Sequence, residues 1–128
     1  MLTVTPIYLT IAVALYSFMA FTVIANRRRR RISIGDGKQQ DFARIIRGHA
    51  NFAEYAPITL LALACAELAG APAIALHLSG IMLLVGRTLH AFCFLFTPAG
   101  MTSRVSGMVL TFLALWIAAA SGLMQVIG

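Results

Sequence analysis

The sequence predicts an all-α integral membrane protein that folds as a four-helix bundle. Of its 128 residues, 60% are hydrophobic and only 11% are charged, and the mean hydropathy is +0.88. Soluble domains usually carry about a quarter charged residues, so much of this apolar surface is expected to face lipid. Four long helical segments, at about 4–26, 41–68, 73–96 and 103–126, are separated by turn signals and make up one predicted domain.

The first segment is predicted to be a retained membrane helix and not a signal peptide. At about 1.5 Å per residue it is long enough to cross a hydrocarbon core of roughly 30 Å. No charge precedes it, and five consecutive arginines, Arg27 to Arg31, follow it, which is the reverse of a signal peptide. These arginines hold half of the ten basic residues in a chain of net charge +6. They predict an anchor at the cytoplasmic membrane surface and, with no base-stacking module beside them, no nucleic-acid partner.

The segment between the first two helices, residues 27–40, is polar, contains Gly35-Asp36-Gly37 and is predicted to be the longest loop. Asp41 is the expected N-cap of the second helix, which should end at Ala69-Gly70-Ala71-Pro72. Because its first half is polar and its second half apolar, this helix is expected to begin among the headgroups and then enter the bilayer. The distribution of basic residues predicts that both termini lie outside and that both basic loops lie in the cytoplasm.

The third and fourth helices are more apolar. The polar residues of the third helix are His77, Ser79, Arg87, Thr88 and His90, and Thr97-Pro98-Ala99-Gly100 is predicted to close it. The fourth helix has one charge, Arg104, at its start, and the small residues at positions 118–122 favour close helix packing. Cys65 and Cys93 lie in apolar runs without a CxxC pair or metal-ligand spacing, so both are predicted to be small buried side chains, and no metal site is predicted.

Arg44, Arg47, Asn51 and Glu54 form a polar stripe on the second helix. With a turn of about 100° per residue, the four fit within roughly a quarter of the helix circumference, and His49 falls on the opposite side. Polar groups at membrane depth usually face a bundle interior, an interface or a cavity. The stripe has two interpretations: a ligand clamp, in which arginines bind carboxylates and Glu54 binds an ammonium, or an internal network in which Glu54 pairs with Arg47 or Arg87.

Two other cationic positions are candidates for a site. Arg87 and His90 are three residues apart and share a face of the third helix. Arg104 lies at a helix start, where the helix dipole makes its charge unfavourable unless it meets an anion. A bound carboxylate, a thiolate or a lipid phosphate would each be such an anion.

The run Arg47-Gly48-His49-Ala50-Asn51-Phe52-Ala53-Glu54-Tyr55-Ala56-Pro57 resembles the signature of the MAPEG family, the membrane-associated proteins of eicosanoid and glutathione metabolism. That signature has an Arg, then a His or Gln, then Asn and Glu, followed by an apolar stretch with Pro. Helix number, chain length, the basic first loop and the positions of Arg87 and Arg104 also match. Ile34-Gly35-Asp36-Gly37 before the motif looks most like the bacterial branch, which implies a bacterial inner membrane.

The resemblance implies a homotrimer with glutathione bound as cofactor between neighbouring subunits. Together with the stripe, it gives a glutathione-binding set of Arg44, Arg47, His49, Asn51, Glu54, Tyr55, Arg87 and His90. Arg104 matches the arginine that stabilises the glutathione thiolate and is the expected catalytic side chain. One arginine of the run at 27–31 is expected to join the site, its register left open. The implied activity is that of a glutathione-dependent transferase or peroxidase acting on a lipophilic small-molecule substrate, with membrane lipid as a further partner.

Two positions depart from the family pattern. Ala50 replaces a residue that is basic in some members, and Phe94 replaces a tyrosine whose hydroxyl contacts glutathione in some members. These departures leave open a catalytically silent member that binds glutathione or lipid. A small multidrug transporter is a further alternative, although such proteins tend to place a lone Glu in the first helix, whereas Glu54 is in the second helix among arginines.

Overall fold

The computed structural model describes residues 1–96 and 100–128. They form four helices: α1 (Thr5–Arg30), α2 (Gln40–Leu68), α3 (Ala73–Phe96) and α4 (Met101–Ile127). Three of them, α1, α3 and α4, are long and apolar enough to cross a membrane, so the chain is an all-α integral membrane bundle. Helix α2 lacks this character because its first half carries Asp41, Arg44, Arg47 and Glu54. Of the predicted stop signal Thr97-Pro98-Ala99-Gly100, residues 97–99 lie outside the described residues.

Helix α1 is longer than the sequence predicted. Arg27 to Arg30 form its last turn, and Arg31 closes it in the left-handed conformation, with a φ of 56°. The Ile32 amide then donates to the Arg27 carbonyl over 3.1 Å, a closure typical of helix C-termini. The prediction that the arginine run belongs to the loop was therefore wrong. Arginine is a good helix former, and no helix breaker occurs before Gly35.

The start of α2 also differs from the prediction, because Asp41 is not its N-cap. Gln39 takes that position without a side-chain capping bond, and Asp41 lies within the first turn. Its carboxylate instead pairs with the Arg30 guanidinium at 2.5 Å. This hydrogen-bonded partner holds the pKa of Asp41 below its ordinary value. The same arginine donates to the Gln39 side chain and lies over the Phe42 ring at 5.3 Å, so α1 and α2 are joined at this end.

At the opposite end of the bundle, Glu67 near the end of α2 binds the N-terminus of α1. Its carboxylate accepts backbone N–H bonds from Val4 and Thr5, each 2.7 Å long, and a third from Thr3. Unpaired N–H groups and the positive end of the helix dipole both favour a carboxylate here. These contacts fix the N-terminus of α1 against the end of α2.

Helices α3 and α4 pack most closely, because two glycines face each other between them. A Cβ on Gly86 would lie 2.8 Å from the Gly107 carbonyl oxygen, and a Cβ on Gly107 would lie 2.7 Å from the Gly86 carbonyl oxygen. The predicted close packing around positions 118–122 is also present, since a Cβ on Gly122 would lie 3.0 Å from Ala66 Cα of α2. Cys93 is buried as predicted, whereas Cys65 is exposed on the surface of this chain. This packing brings the polar face of α3 against α2 and α4.

Candidate functional site

Arg87 is the largest fully buried side chain of the described residues, with only 1% of its surface exposed. Its Nη1 donates to Asn51 Oδ1 of α2 over 2.8 Å, and its Nε donates to Thr111 Oγ1 of α4 over 2.9 Å. Its Nη2 faces Met108 Sδ at 3.2 Å and the Gly107 carbonyl at 3.5 Å. One guanidinium therefore joins three helices.

All of these partners of Arg87 are neutral. Among the described residues the ion pairs are Arg30 with Asp41 and Arg47 with Glu54, and neither involves Arg87. A cation taken out of water without an opposite charge is costly. The arrangement therefore creates a positive potential inside the bundle that an incoming anion would relieve.

A second group of side chains continues this positive region along α3. His90 is buried and stacks on Phe94, with ring centroids 4.8 Å apart. The Arg104 guanidinium lies 5.0 Å from the centroid of the same Phe94 ring. Arg47, Arg87 and Arg104 all interact electrostatically with His90. Arg47 of α2, Arg87 and His90 of α3 and Arg104 of α4 thus lie in one cationic region of the subunit.

Gly48 of the signature run allows Phe94 of α3 to pack closely against α2. A Cβ at Gly48 would lie 2.6 Å from Phe94 Cβ, so only glycine permits this approach of α2 to α3. Phe94 is buried, and its ring contacts both His90 and Arg104. The departure noted in the sequence therefore lies at the centre of the cationic region, where the ring offers no hydroxyl.

The stripe on α2 is divided between two environments. Asn51 is buried against Arg87, whereas Arg47 and Glu54 pair at 3.2 Å with side chains that are 60% and 49% exposed. Of the two internal pairings considered for Glu54, the structure therefore shows the one with Arg47. Arg44 does not join either group, and its buried Nε has no hydrogen-bond partner among the described residues.

Two further predicted residues lie on different sides of α2. Tyr55 contacts the site: the Arg87 guanidinium is 5.7 Å from the centroid of its ring, and its edge packs on Phe112 of α4. His49 lies away from it, as its position on the helix wheel indicates, with its ring 4.9 Å from Tyr16 of α1. The single chain therefore does not bring His49 to the Arg87 cluster.

The arginine run reaches the site through one member. Arg27 and Arg47 line an open depression of about 480 Å³ between the first loop and α2, and Asp36 and Ala50 also line it. Arg27 is held there by hydrogen bonds to the Ser33 and Gly35 carbonyls, at 3.2 and 3.1 Å. Of the five arginines, Arg27 is thus the one that shares a surface with the signature run.

Sequence reasoning predicted Arg104 on α4 but missed Thr111, the α4 residue that binds Arg87. Thr111 accepts from Arg87 while its own hydroxyl donates to the Gly107 carbonyl over 2.8 Å. A threonine four residues after a glycine in an apolar helix is a weak signal. Gly86 next to Arg87 would have strengthened this signal. A glycine allows the neighbouring helix to approach closely, and a charged residue beside it favours a polar group on that helix.

The fold is that of a four-helix membrane protein with a buried arginine where α2, α3 and α4 meet. The MAPEG family model matches residues 5–124, so the chain belongs to this family. It is also similar to the inner membrane protein YecN of Escherichia coli strain K12, with 31% identity over 119 residues that cover 88% of this chain and 91% of the relative. YecN of Escherichia coli O6:H1 matches to the same extent.

Proposed function

We propose that the protein is a glutathione-dependent transferase or peroxidase that acts on lipophilic electrophiles. The observation that carries this proposal is the buried Arg87 guanidinium, whose described partners are all neutral. A tripeptide with two carboxylates and a thiolate supplies the missing negative charge. Its single ammonium group suits Glu54, the acidic side chain of the stripe.

The exposed pair of Arg47 and Glu54 is suited to open for such a ligand. The amino-acid end of glutathione carries both an ammonium and a carboxylate. Glu54 would exchange the Arg47 guanidinium for the ammonium, and Arg47 would exchange the Glu54 carboxylate for the carboxylate of glutathione. The ammonium would pair with Glu54 and the carboxylate with Arg47, with bidentate geometry available to the guanidinium. Because the existing pair is well exposed, breaking it costs little.

The remaining groups would orient the peptide and its sulfur. Asn51 and Tyr55 present an amide and a phenol beside Arg87, and His90 adds a ring nitrogen beside Phe94. A guanidinium near the glutathione sulfur favours the thiolate, which is the nucleophile. In this proposal Arg104 is the catalytic side chain and no covalent enzyme intermediate forms.

Two reactions are open to such a thiolate. With an electrophilic carbon, sulfur forms a C–S bond and the electron pair leaves on the substrate or its leaving group. With a hydroperoxide, sulfur takes the terminal oxygen, the O–O bond breaks and an alcohol is released after protonation. A second glutathione then gives the disulfide and water.

The co-substrate would come from the bilayer. An apolar groove of about 490 Å³ runs between α1 and α2, and Leu9, Val13, Tyr16, Phe52, Pro57 and Leu60 are among its lining residues. A groove of this composition accepts an acyl chain or another lipophilic body. It lies on the Tyr16 side of α2, away from Arg87 of the same subunit, so in a homotrimer it would serve the site of a neighbouring subunit. The exposed positions of Arg47 and Arg104 further support a homotrimer, in which a neighbouring subunit would close the site.

Calorimetry and turnover on protein purified in detergent test the proposal. Glu54→Ala is expected to weaken glutathione binding by about tenfold or more, since it removes the counter-charge of the ammonium. Arg104→Ala is expected to retain most binding and to lose at least tenfold in conjugation rate. Lys38→Gln, which removes a cation from the loop away from this cluster, is the matched control. Undiminished binding in Glu54→Ala would remove the stripe from the proposal.

Phe94 favours a second candidate, a family member that binds glutathione without turnover. Its ring is buried, and it carries no hydroxyl at the position where the resemblance implies a tyrosine that contacts glutathione in some members. Glutathione binding that depends on Glu54, without conjugation or peroxide reduction over a panel of electrophiles, would establish this alternative.

A further inference from the structure

The arginine run at the end of α1 is divided by the helix into inward and outward members. Arg27 and Arg30 turn toward α2, and their guanidinium groups lie 5.5 and 5.3 Å from the centroid of the Phe42 ring. Arg28 and Arg29 are exposed, and at about 100° per residue they project from the opposite side of α1. Arg31, which is also exposed, follows them at the C-cap.

The outward arginines lack acidic partners. In the described part of the chain, Arg28 and Arg31 make no side-chain hydrogen bond or ion pair, and Arg29 contacts only the Asn26 amide, at 3.3 Å. The inward arginines, in contrast, are held by loop carbonyls or by Asp41. Three adjacent guanidinium groups are therefore left for an external anion.

The face of α1 leading to these arginines is apolar and exposed. On the helix wheel, Phe21 and Phe18 lie about 20° and 80° from Arg28, on the side that also bears Arg29. Their exposed fractions are 68% and 52%. Phe18 and Arg29 are separated by roughly 16 Å along the axis, close to half of a hydrocarbon core of roughly 30 Å. Phe18 thus falls near the bilayer midplane when Arg29 is at the phosphates.

We propose that this face of α1 is a binding site for an anionic phospholipid. The acyl chains would lie along Phe18 and Phe21, and Arg28, Arg29 and Arg31 would hold the phosphate and the anionic headgroup. The exposed phenylalanines favour a lipid over a soluble polyanion. A soluble polyanion would bind the arginines but would make no contact with the phenylalanines. The site is separate from the glutathione site, since it uses the opposite side of α1.

Spin-labelled lipids in reconstituted vesicles test this directly. For the wild-type chain, spin-labelled phosphatidylglycerol should associate with the protein several times more strongly than spin-labelled phosphatidylcholine. Arg28→Gln combined with Arg29→Gln should bring this preference close to one, because two of the three cations are removed. Lys38→Gln, which removes a loop cation without the apolar approach, should leave it nearly unchanged.

A charge-conserving variant distinguishes the loss of the two charges from a loss of folding. Arg28→Lys with Arg29→Lys should retain most of the preference, because the attraction is largely electrostatic. A wild-type preference close to one, or an equal loss in the Lys38 variant, would overturn the proposal. So would tight retention of a single-stranded RNA oligonucleotide by protein in phosphatidylcholine nanodiscs that depends on Arg28 and Arg29, since the occupant would then be a nucleic acid.

Discussion

The Arg87 guanidinium of α3 donates a 2.8 Å hydrogen bond to Asn51 Oδ1 of α2, and both side chains are buried. The bond ties the signature run on α2 to the single buried arginine of α3. Thr111 of α4 binds the other side of the guanidinium. Asn51 consequently has a structural task in the free protein, in addition to any contact with a ligand.

Replacing Asn51 should affect both stability and glutathione binding. Asn51→Ala leaves Arg87 Nη1 without an acceptor, and hydrogen bonds to charged groups contribute about 2 kcal/mol. We expect a loss of that order in the free energy of unfolding, measured by denaturant titration in detergent, and a loss of glutathione affinity. Ser79→Ala removes the buried bond to the Ala114 carbonyl and should reduce stability alone. Wild-type affinity in Asn51→Ala would confine Asn51 to its structural role.

The facing glycines of α3 and α4 give a prediction about packing. Gly86→Ala would place a methyl group 2.8 Å from the Gly107 carbonyl oxygen, so the helices must separate. Overpacking of this kind costs about 1–3 kcal/mol, and it should also lengthen the bond from Arg87 to Thr111. Thermal unfolding in detergent measures the effect. Ala120→Ser, on an exposed part of α4, is the control, and equal stability of both variants would contradict the packing argument.

Phe94→Tyr tests the departure from the family pattern. The ring contacts His90 and Arg104 and packs on Gly48, so we expect a hydroxyl at its para position to add a donor within the cationic region. One added donor to a developing thiolate should raise the conjugation rate by about tenfold or more. Phe92→Tyr, an exposed aromatic on the other side of α3, should not change the rate. A slower Phe94→Tyr enzyme would mean that the hydroxyl cannot be accommodated.

The proposed role of Arg104 predicts a shift in the pH dependence of turnover. A nearby guanidinium lowers the pKa of the bound thiol, so Arg104→Gln should raise it. The thiolate fraction of the variant then falls at neutral pH and recovers as the pH increases. The profile of kcat against pH should therefore move to higher pH, with Lys38→Gln superimposing on the wild type. A uniform fall in rate at every pH would indicate a positioning role instead.

The sequence predicted the fold class because hydropathy and turn signals report directly on membrane helices. It also placed Arg47, Asn51 and Glu54 correctly on one side of α2, since a helical wheel needs only a constant turn per residue. It could not tell which of these residues is buried, because that depends on where α3 and α4 approach. The approach of α3 to α2 depends on Gly48, and that of α4 to α3 on Gly86 and Gly107, which are small residues with no chemical signature of their own.

The end of α1 shows a different limit of sequence reasoning. The polarity of the five arginines predicts a loop, yet whether they form a helix depends on their backbone preference and on the groups that their side chains contact. The partners of Arg30 and Arg27 are supplied by Asp41, Phe42 and the loop carbonyls, which become neighbours only when α2 folds back. The local sequence likewise predicts Asp41 as the N-cap of α2, whereas its carboxylate forms an ion pair with Arg30.

The orientation of the chain in the membrane remains a prediction from charge, with both termini outside. Basic residues near membrane helices are retained in the cytoplasm, and the arginines at the end of α1 are the strongest such group. In a background of Cys65→Ala and Cys93→Ala, we expect a membrane-impermeant maleimide to label Gly128→Cys in intact spheroplasts. Ser33→Cys, in the exposed first loop, should react only after the membrane is permeabilised. The opposite labelling pattern would reverse the orientation and place the Arg27 and Arg47 surface outside, where cytoplasmic glutathione does not reach it.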